Sequence, residues 1–258
     1  MDLELSGKSA VVTGASRGIG RAIALGLARE GVDLTVCARG EADLREAAEE
    51  MEGEGVEVEA LAVDMTEPDA GGRLVEVALA RFGRLDVVVN NVGGNRRGDF
   101  DELGDQDWLD LLELNFLSHV RTARAAIPQM KRQESGVVLF VSSIFGREAG
   151  GAGLSLYNTT KSALISTAKI MALELAPHGI RVNSIAPGSI RHPGGSWDRR
   201  VEEDPEGMRQ FVADNLPIGR FGTAEEVADV VTFVASERAS LVVGACVNVD
   251  GGQSRSLI

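Results

Sequence analysis

Short apolar runs alternate with longer amphipathic stretches along almost the whole chain. The segments "SAVVTG" (9–14), "DLTVCA" (33–38), "VEVEALAVD" (56–64), "LDVVVNN" (85–91), "GVVLFVSS" (136–143), "IRVNSIAP" (180–187) and "ACVNVDGG" (245–252) read as strands. Helical stretches at 20–31, 41–55, 66–83, 105–133, 155–178 and 223–235 separate them. Strands that are apolar on both faces and joined through helices pair in parallel and are covered on both sides. Seven of them predict an α/β fold with a doubly wound parallel sheet. A length of 258 residues suits one large domain, 1–258, better than two small ones. Thr66 and Asp69 look like a capping-box start for the helix at 66–83, and Thr223 with Glu226 for the last helix. One stretch, 188–220, breaks the rhythm. It is rich in Gly, Pro and charge and reads as an irregular lid, a binding loop or a disordered connection, with Gly194 and Gly195 as its flexible points.

Composition removes several function classes. Acids outnumber bases, 39 to 26, so the net charge is −13; a nucleic-acid partner would want a basic surface. His119, His178 and His192 are scattered, with no partner at metal-ligand spacing. Cys37 and Cys246 sit inside apolar runs and read as buried, reduced thiols of a cytoplasmic protein. No run approaches a membrane span, and the N-terminus lacks the basic and apolar regions of a signal peptide.

The loop "TGASRGIG" (13–20) follows the first strand and opens the first helix. Gly14 permits a tight turn, Gly18 lets a diphosphate approach the backbone, and Gly20 lets the helix lie close on the sheet. Ser16, Arg17 and Ile19 fill the same loop and are candidate cofactor contacts. Cofactor type is read at the end of the second strand, where an NAD-binding fold wants an acid for the ribose 2′-hydroxyl. Here Ala38 takes that place and Arg39 follows. A guanidinium clamps a 2′-phosphate that a carboxylate would repel, which favours NADP(H) over NAD(H). Otherwise Arg39 is a solvated surface arginine.

Tyr157 is the only tyrosine, and Lys161 lies four residues on, sharing a helix face with it. A free phenol titrates near 10; an adjacent ammonium would lower that value and make a usable acid–base group. Ser142 and Ser143 end the fifth strand, at the edge where doubly wound sheets bind ligands. Ser143 could hold a carbonyl oxygen, whereas Ser142 reads as a turn residue. Asn115 lies mid-helix among apolar neighbours, where an amide must find partners; it reads as a structural bond-maker or as the holder of a relay water. Arg96, Arg97, Arg147 and Arg191 fall on loops at the same edge. They would form a cationic rim for an anionic substrate, or else pair with nearby acids.

These motifs, in this order, resemble the short-chain dehydrogenase/reductase family over essentially the whole chain. They are Thr13, Gly14, Gly18 and Gly20; Asp64; Asn90, Asn91 and Gly93; Asn115; Ser143; Tyr157 and Lys161; Pro187 and Gly188; and the closing "VDGG". The resemblance implies a Rossmann-like seven-stranded sheet and a catalytic tetrad of Asn115, Ser143, Tyr157 and Lys161. Tyr157 would transfer the proton, Ser143 orient the oxygen, Lys161 hold the nicotinamide ribose and Asn115 keep a relay water. Asp64 would meet the adenine, with Asn91, Gly93, Tyr157, Pro187, Gly188 and Ile190 along the rest of the cofactor. The implied reaction moves a hydride between nicotinamide and a carbonyl or secondary alcohol. The general pattern is closest to 3-oxoacyl-carrier-protein reductases, and a homotetramer is implied. An NAD-dependent sugar or alcohol dehydrogenase and a non-catalytic dinucleotide sensor are the rival readings. The sequence departs from the family at Val92, in a Ser143–Tyr157 interval one residue longer than usual, and at His192, where a Thr is common.

Overall fold

The computed structural model describes residues 2–257. Seven strands form one parallel sheet: β1 (Ser9–Thr13), β2 (Asp33–Ala38), β3 (Val58–Ala62), β4 (Val87–Asn90), β5 (Gly136–Val141), β6 (Ile180–Pro187) and β7 (Cys246–Val249). Their order is β3-β2-β1-β4-β5-β6-β7. Val12 is the register partner of Val36 on one side and of Val89 on the other. The order reverses between β1 and β4, and a crevice opens at such a switch point beyond the strand ends.

Helices α1 (Gly18–Arg29), α2 (Glu41–Glu52) and α3 (Ala70–Phe82) follow the first three strands. Next come α4 (Asp105–Leu112), α5 (Ser118–Gln133), α6 (Ser155–Leu175), α7 (Ser196–Glu203), α8 (Pro205–Asn215) and α9 (Ala224–Ala235). The core is split by the sheet. One cluster packs Ile23, Leu27, Val227 and Val231, from α1 and α9, against Val12, Val36 and Val89. The other packs Leu74, Ala126, Met130 and Leu164, from α3, α5 and α6, against Val11, Val88, Val138 and Phe140. Alternate residues of β1 therefore enter opposite cores, as the two-residue period of a strand requires.

Several expectations are corrected. β3 and β7 are edge strands with half-exposed residues, so two of the seven strands are not apolar-covered on both faces. Thr66 does not cap α3; its amide and hydroxyl both donate to Asp64, and α3 starts at Ala70 after an Asp69 that makes no side-chain cap. Thr223 and Glu226 do form a capping box on α9. The stretch 188–220 is not irregular: it holds α7 and α8, joined at Asp204, whose carboxylate accepts from the Gly207 amide. The helix expected at 105–133 is interrupted by a π-turn, Glu113–Leu117. Cys37 is buried as expected, but Cys246 on the edge strand is only half-buried.

Candidate active site

The site is built on the C-terminal ends of β1, β4, β5 and β6. After β1 the chain turns through Gly14 (φ +69°) and Gly18 (φ +56°), both in the left-handed region that favours glycine. Gly20 is fixed by proximity instead: a Cβ there would lie 2.1 Å from the Gly14 carbonyl oxygen. Arg17 is the extended N-cap of α1 and gives no side-chain cap, and the first turn carries no acid. The leading N–H groups of α1 thus keep their donors, which is what a diphosphate needs. Ser16 and Ile19 are half-buried beside them. Asn91 braces the loop, donating from its side-chain amide to the carbonyls of Thr13 (3.0 Å) and Gly14 (3.2 Å). The Thr13 hydroxyl in turn accepts from the amides of Asn91 and Val92. The side chain of Asn91 therefore positions the glycine loop, and Thr13 is a partner whose role the motif alone did not reveal.

Beyond β2, Arg39 is largely exposed and pairs loosely with Asp64, N···O 3.8 Å. Donation from Thr66 holds the Asp64 carboxyl below its ordinary range, with Arg39 adding a smaller push in the same direction. No acid stands at the end of β2, because Ala38 fills that position opposite Ala62 of β3.

Four separated segments converge past β5. Ser143 is the extended N-cap of a short 3-10 turn, and its hydroxyl accepts from the Phe145 amide at 3.2 Å. It also faces the hydroxyl of Tyr157, on the first turn of α6, and stabilises its ionised form. One turn on, Lys161 is buried, donates to the Val141 carbonyl at 2.9 Å, and places Nζ 5.8 Å from the Tyr157 ring centre. Asn115, fully buried in the π-turn, accepts from the Gly94 amide at 2.8 Å and donates to the Gly94 carbonyl and the Thr160 hydroxyl. A Cβ on Gly93 would lie 3.3 Å from Asn115 Oδ1 and 3.5 Å from Lys161 Nζ. The loop after β4 is thus tied between the π-turn and α6, beside Lys161. Thr160, one of those ties, carried no sequence signal. Ser142 donates to the Lys161 carbonyl and is structural, as expected.

The electrostatics run against one expectation. Burial pushes the Tyr157 hydroxyl above its ordinary value, and the stabilisation by Ser143 only partly offsets this. Lys161 does not lower it here; burial pulls Lys161 itself down to about 8. Tyr157 is therefore a phenol at neutral pH and Lys161 still mostly an ammonium. His119, stacked on Phe140, donates from Nε2 to the Val92 carbonyl at 2.6 Å. Burial first, and the nearby Lys161 second, drive its value down to about 3, so it is neutral.

The other segments complete the rim. Pro187 pairs with Val249, the Gly188 amide donates to the Val249 carbonyl, and Ile190 bridges to Gly222. The expected cationic rim is partly neutralised: Arg96 pairs with Asp107 and Arg191 with Asp198, while Arg147 donates to the neutral side chain of Asn248. No ion pair of Arg97 is seen among the described residues. No group of three or more His, Cys, Asp or Glu among the described residues could hold a metal ion, and no described helix is long and apolar enough to cross a membrane.

Comparison with known proteins agrees with this geometry. A family model described as Enoyl-(Acyl carrier protein) reductase matches residues 14–254. The chain is 37% identical to a 3-oxoacyl-(acyl-carrier-protein) reductase of Staphylococcus aureus, covering 95% of this chain and 97% of that protein. Its fold superposes on L-sorbose reductase from Gluconobacter frateurii, complexed with NADPH and L-sorbose, with TM-score 0.94, 37% identity and full coverage of both chains. A 7α-hydroxysteroid dehydrogenase complexed with NADH gives TM-score 0.90 at 29% identity, covering 100% of this chain and 98% of that one. With the family model spanning nearly the whole chain, and glycine loop, Ser143, Tyr157 and Lys161 assembled at one sheet edge, the protein belongs to the short-chain dehydrogenase/reductase family of oxidoreductases.

Proposed function

We propose that the chain is an NADP(H)-dependent reductase of ketones and, in reverse, a dehydrogenase of secondary alcohols. The observation that carries this reading is the convergence of the Ser143 and Tyr157 hydroxyls beside the buried Lys161. The residues of the glycine loop fit a dinucleotide diphosphate, and bound NADPH supplies the hydride. Tyr157, a phenol at neutral pH, gives its proton to the carbonyl oxygen of the substrate. Ser143 donates a hydrogen bond to that oxygen and orients it. The Lys161 ammonium stabilises negative charge left on the phenol and reaches the nicotinamide ribose. Asn115 holds the Gly93–Gly94 backbone in place and keeps the relay water through which Tyr157 is reprotonated. Asp64 meets the adenine and Arg39 the 2′-phosphate, while Pro187, Gly188 and Ile190 line the nicotinamide end. Residues 188–220 act as the substrate lid.

The absence of an acid at Ala38 weighs against an NAD-linked enzyme. A dinucleotide sensor would have no use for the convergent Ser143–Tyr157 pair. A 3-oxoacyl thioester and a ketose are the two substrates to test first, because relatives named for each are equally similar. The reading includes a cytoplasmic homotetramer. The free thiols suit a reducing compartment, and exposed Leu109, Leu117, Ile170 and Leu173 on α4, the π-turn and α6 are apolar side chains that subunit contact would cover. The test is Tyr157→Phe, assayed by cofactor absorbance with both substrate classes. General acid catalysis contributes ~10²–10⁴-fold, so kcat falls by about that much with dinucleotide affinity retained. Near-normal turnover would refute the assigned role.

A further inference from the structure

His192 sits where the lid meets the glycine loop. A Cβ on Gly18 would lie 2.7 Å from both Cε1 and Nε2 of its imidazole, and one on Gly195 2.8 Å from the same two atoms. The Nε2–Cε1 edge is therefore held between the glycine that opens α1 and the residue that N-caps α7. The far side of the ring fixes the tautomer. Nδ1 lies 3.1 Å from the Pro193 carbonyl oxygen, which can only accept, so Nδ1 carries a proton. In a neutral ring Nε2 is then a bare lone pair, directed at the loop whose N–H groups are arranged for an anion.

A lone pair and a phosphate oxygen repel; an N–H and a phosphate oxygen form a charge-assisted hydrogen bond. Resting on the reading that this loop holds a dinucleotide, we propose that His192 is a diphosphate ligand which takes up a proton at Nε2, from solvent, when the cofactor binds. The charged groups around it are of both signs. Asp198, which acts electrostatically with His192, is held by Arg191 and by the Gly194 amide. Arg199 donates to the Gly194 carbonyl. Across the cleft of about 980 Å³ that His192 helps to line, Arg220 is neutralised by Glu226. Arg17 on the glycine loop is the nearest competing cation in the sequence of that loop. Because His192 belongs to the lid and Gly18 to the cofactor cradle, the same proton would fasten one to the other.

The experiment is isothermal titration of the full-length protein with NADPH and with NADH, near neutral pH, in HEPES and in Tris, whose ionisation enthalpies differ. Both dinucleotides carry the diphosphate, and NADH lacks the titrating 2′-phosphate. The expected result is a buffer-dependent enthalpy showing net proton uptake, with the His192 share lost in His192→Gln and affinity about tenfold lower. Any contribution from the 2′-phosphate is common to both proteins and cancels. Circular dichroism and thermal unfolding check that the variant is folded. Equal uptake in both proteins, or none in the parent, would overturn the proposal while leaving the dinucleotide reading intact. Failure of both dinucleotides to bind would overturn both.

Discussion

Replacing Lys161 by Met separates the catalytic role proposed for the residue from what it costs the fold. Its side chain is fully enclosed, and burial alone takes its value from 10.5 to about 8. That drop corresponds to ~3 kcal/mol by which the fold disfavours the ammonium. Methionine fits a similar volume without charge, but it strands the Val141 carbonyl that Lys161 now satisfies, which costs about 1–3 kcal/mol. At about pH 7 the two nearly cancel or leave a small gain. The decisive quantity is the pH dependence of the difference, because the carbonyl contribution does not titrate. The folded value lies below the unfolded one, so between them the unfolded chain binds the extra proton and parent stability rises with pH. From about pH 7 to about pH 9.5 the parent should gain ~2 kcal/mol relative to Lys161→Met. For a chain of this length that is roughly 4 °C in Tm. Parallel thermal unfolding of both proteins across this range, each read as a difference at the same pH, measures it. A difference that stays flat, or grows in favour of the variant, would show that the ammonium is not disfavoured by its surroundings. Activity of the variant falls in either case.

Arg39→Ala should weaken NADPH about tenfold to a hundredfold while leaving NADH nearly unchanged; fluorescence titration with both cofactors decides it, and equal losses would make Arg39 a surface residue. His119, neutral in the fold with a value of about 3, should make the protein acid-labile: stability is complete above about pH 6.5 and is lower by about 2 kcal/mol at about pH 5. His119→Gln should flatten that slope in denaturant titrations, and an unchanged slope would assign it to other groups. If substrates are anionic, Arg97→Ala should raise KM for an anionic ketone, more at low salt than at high, and leave a matched neutral ketone alone; equal responses would end the anionic-substrate idea.

Much of this was legible in the sequence because it is local. The apolar period of each strand, the glycine loop opening α1 and the Thr223–Glu226 capping box each lie within a dozen residues. The grouping of Asn115, Ser143, Tyr157 and Lys161 was expected only by resemblance, since it is sheet order, not spacing, that carries Asn115 and Ser143 to the side of α6. Local signals failed where a nearer partner competed. Thr66 had a cap's spacing but bonded Asp64 two residues back. The segment 188–220 hid two helices because a Gly and a Pro sit at the helix starts, Gly195 as N-cap of α7 and Pro205 as first residue of α8, where they do not break a helix. The raised value of Tyr157 depends on how protein atoms crowd one hydroxyl, which no pattern of residues encodes. The placement of His192 on Gly18 joins residues 174 positions apart and was equally invisible.

The π-turn at Glu113–Leu117 gives the chain a sensitivity of another kind. An α-helix advances about 100° per residue, so one surplus residue in the turn sets the angular phase of α4 against α5. With it, Asn115 points inward, while Leu111 is buried and Leu109 is exposed on the turn before. Removing one residue there would heal the backbone into regular α-helix and rotate everything upstream by about 100°. Leu111 would leave its contacts, and Arg96 would lose its reach to Asp107. This stretch therefore tolerates a change of letter far better than a change of length. Among natural or engineered variants, single-residue gaps should be absent from 113–117 even where substitutions are frequent.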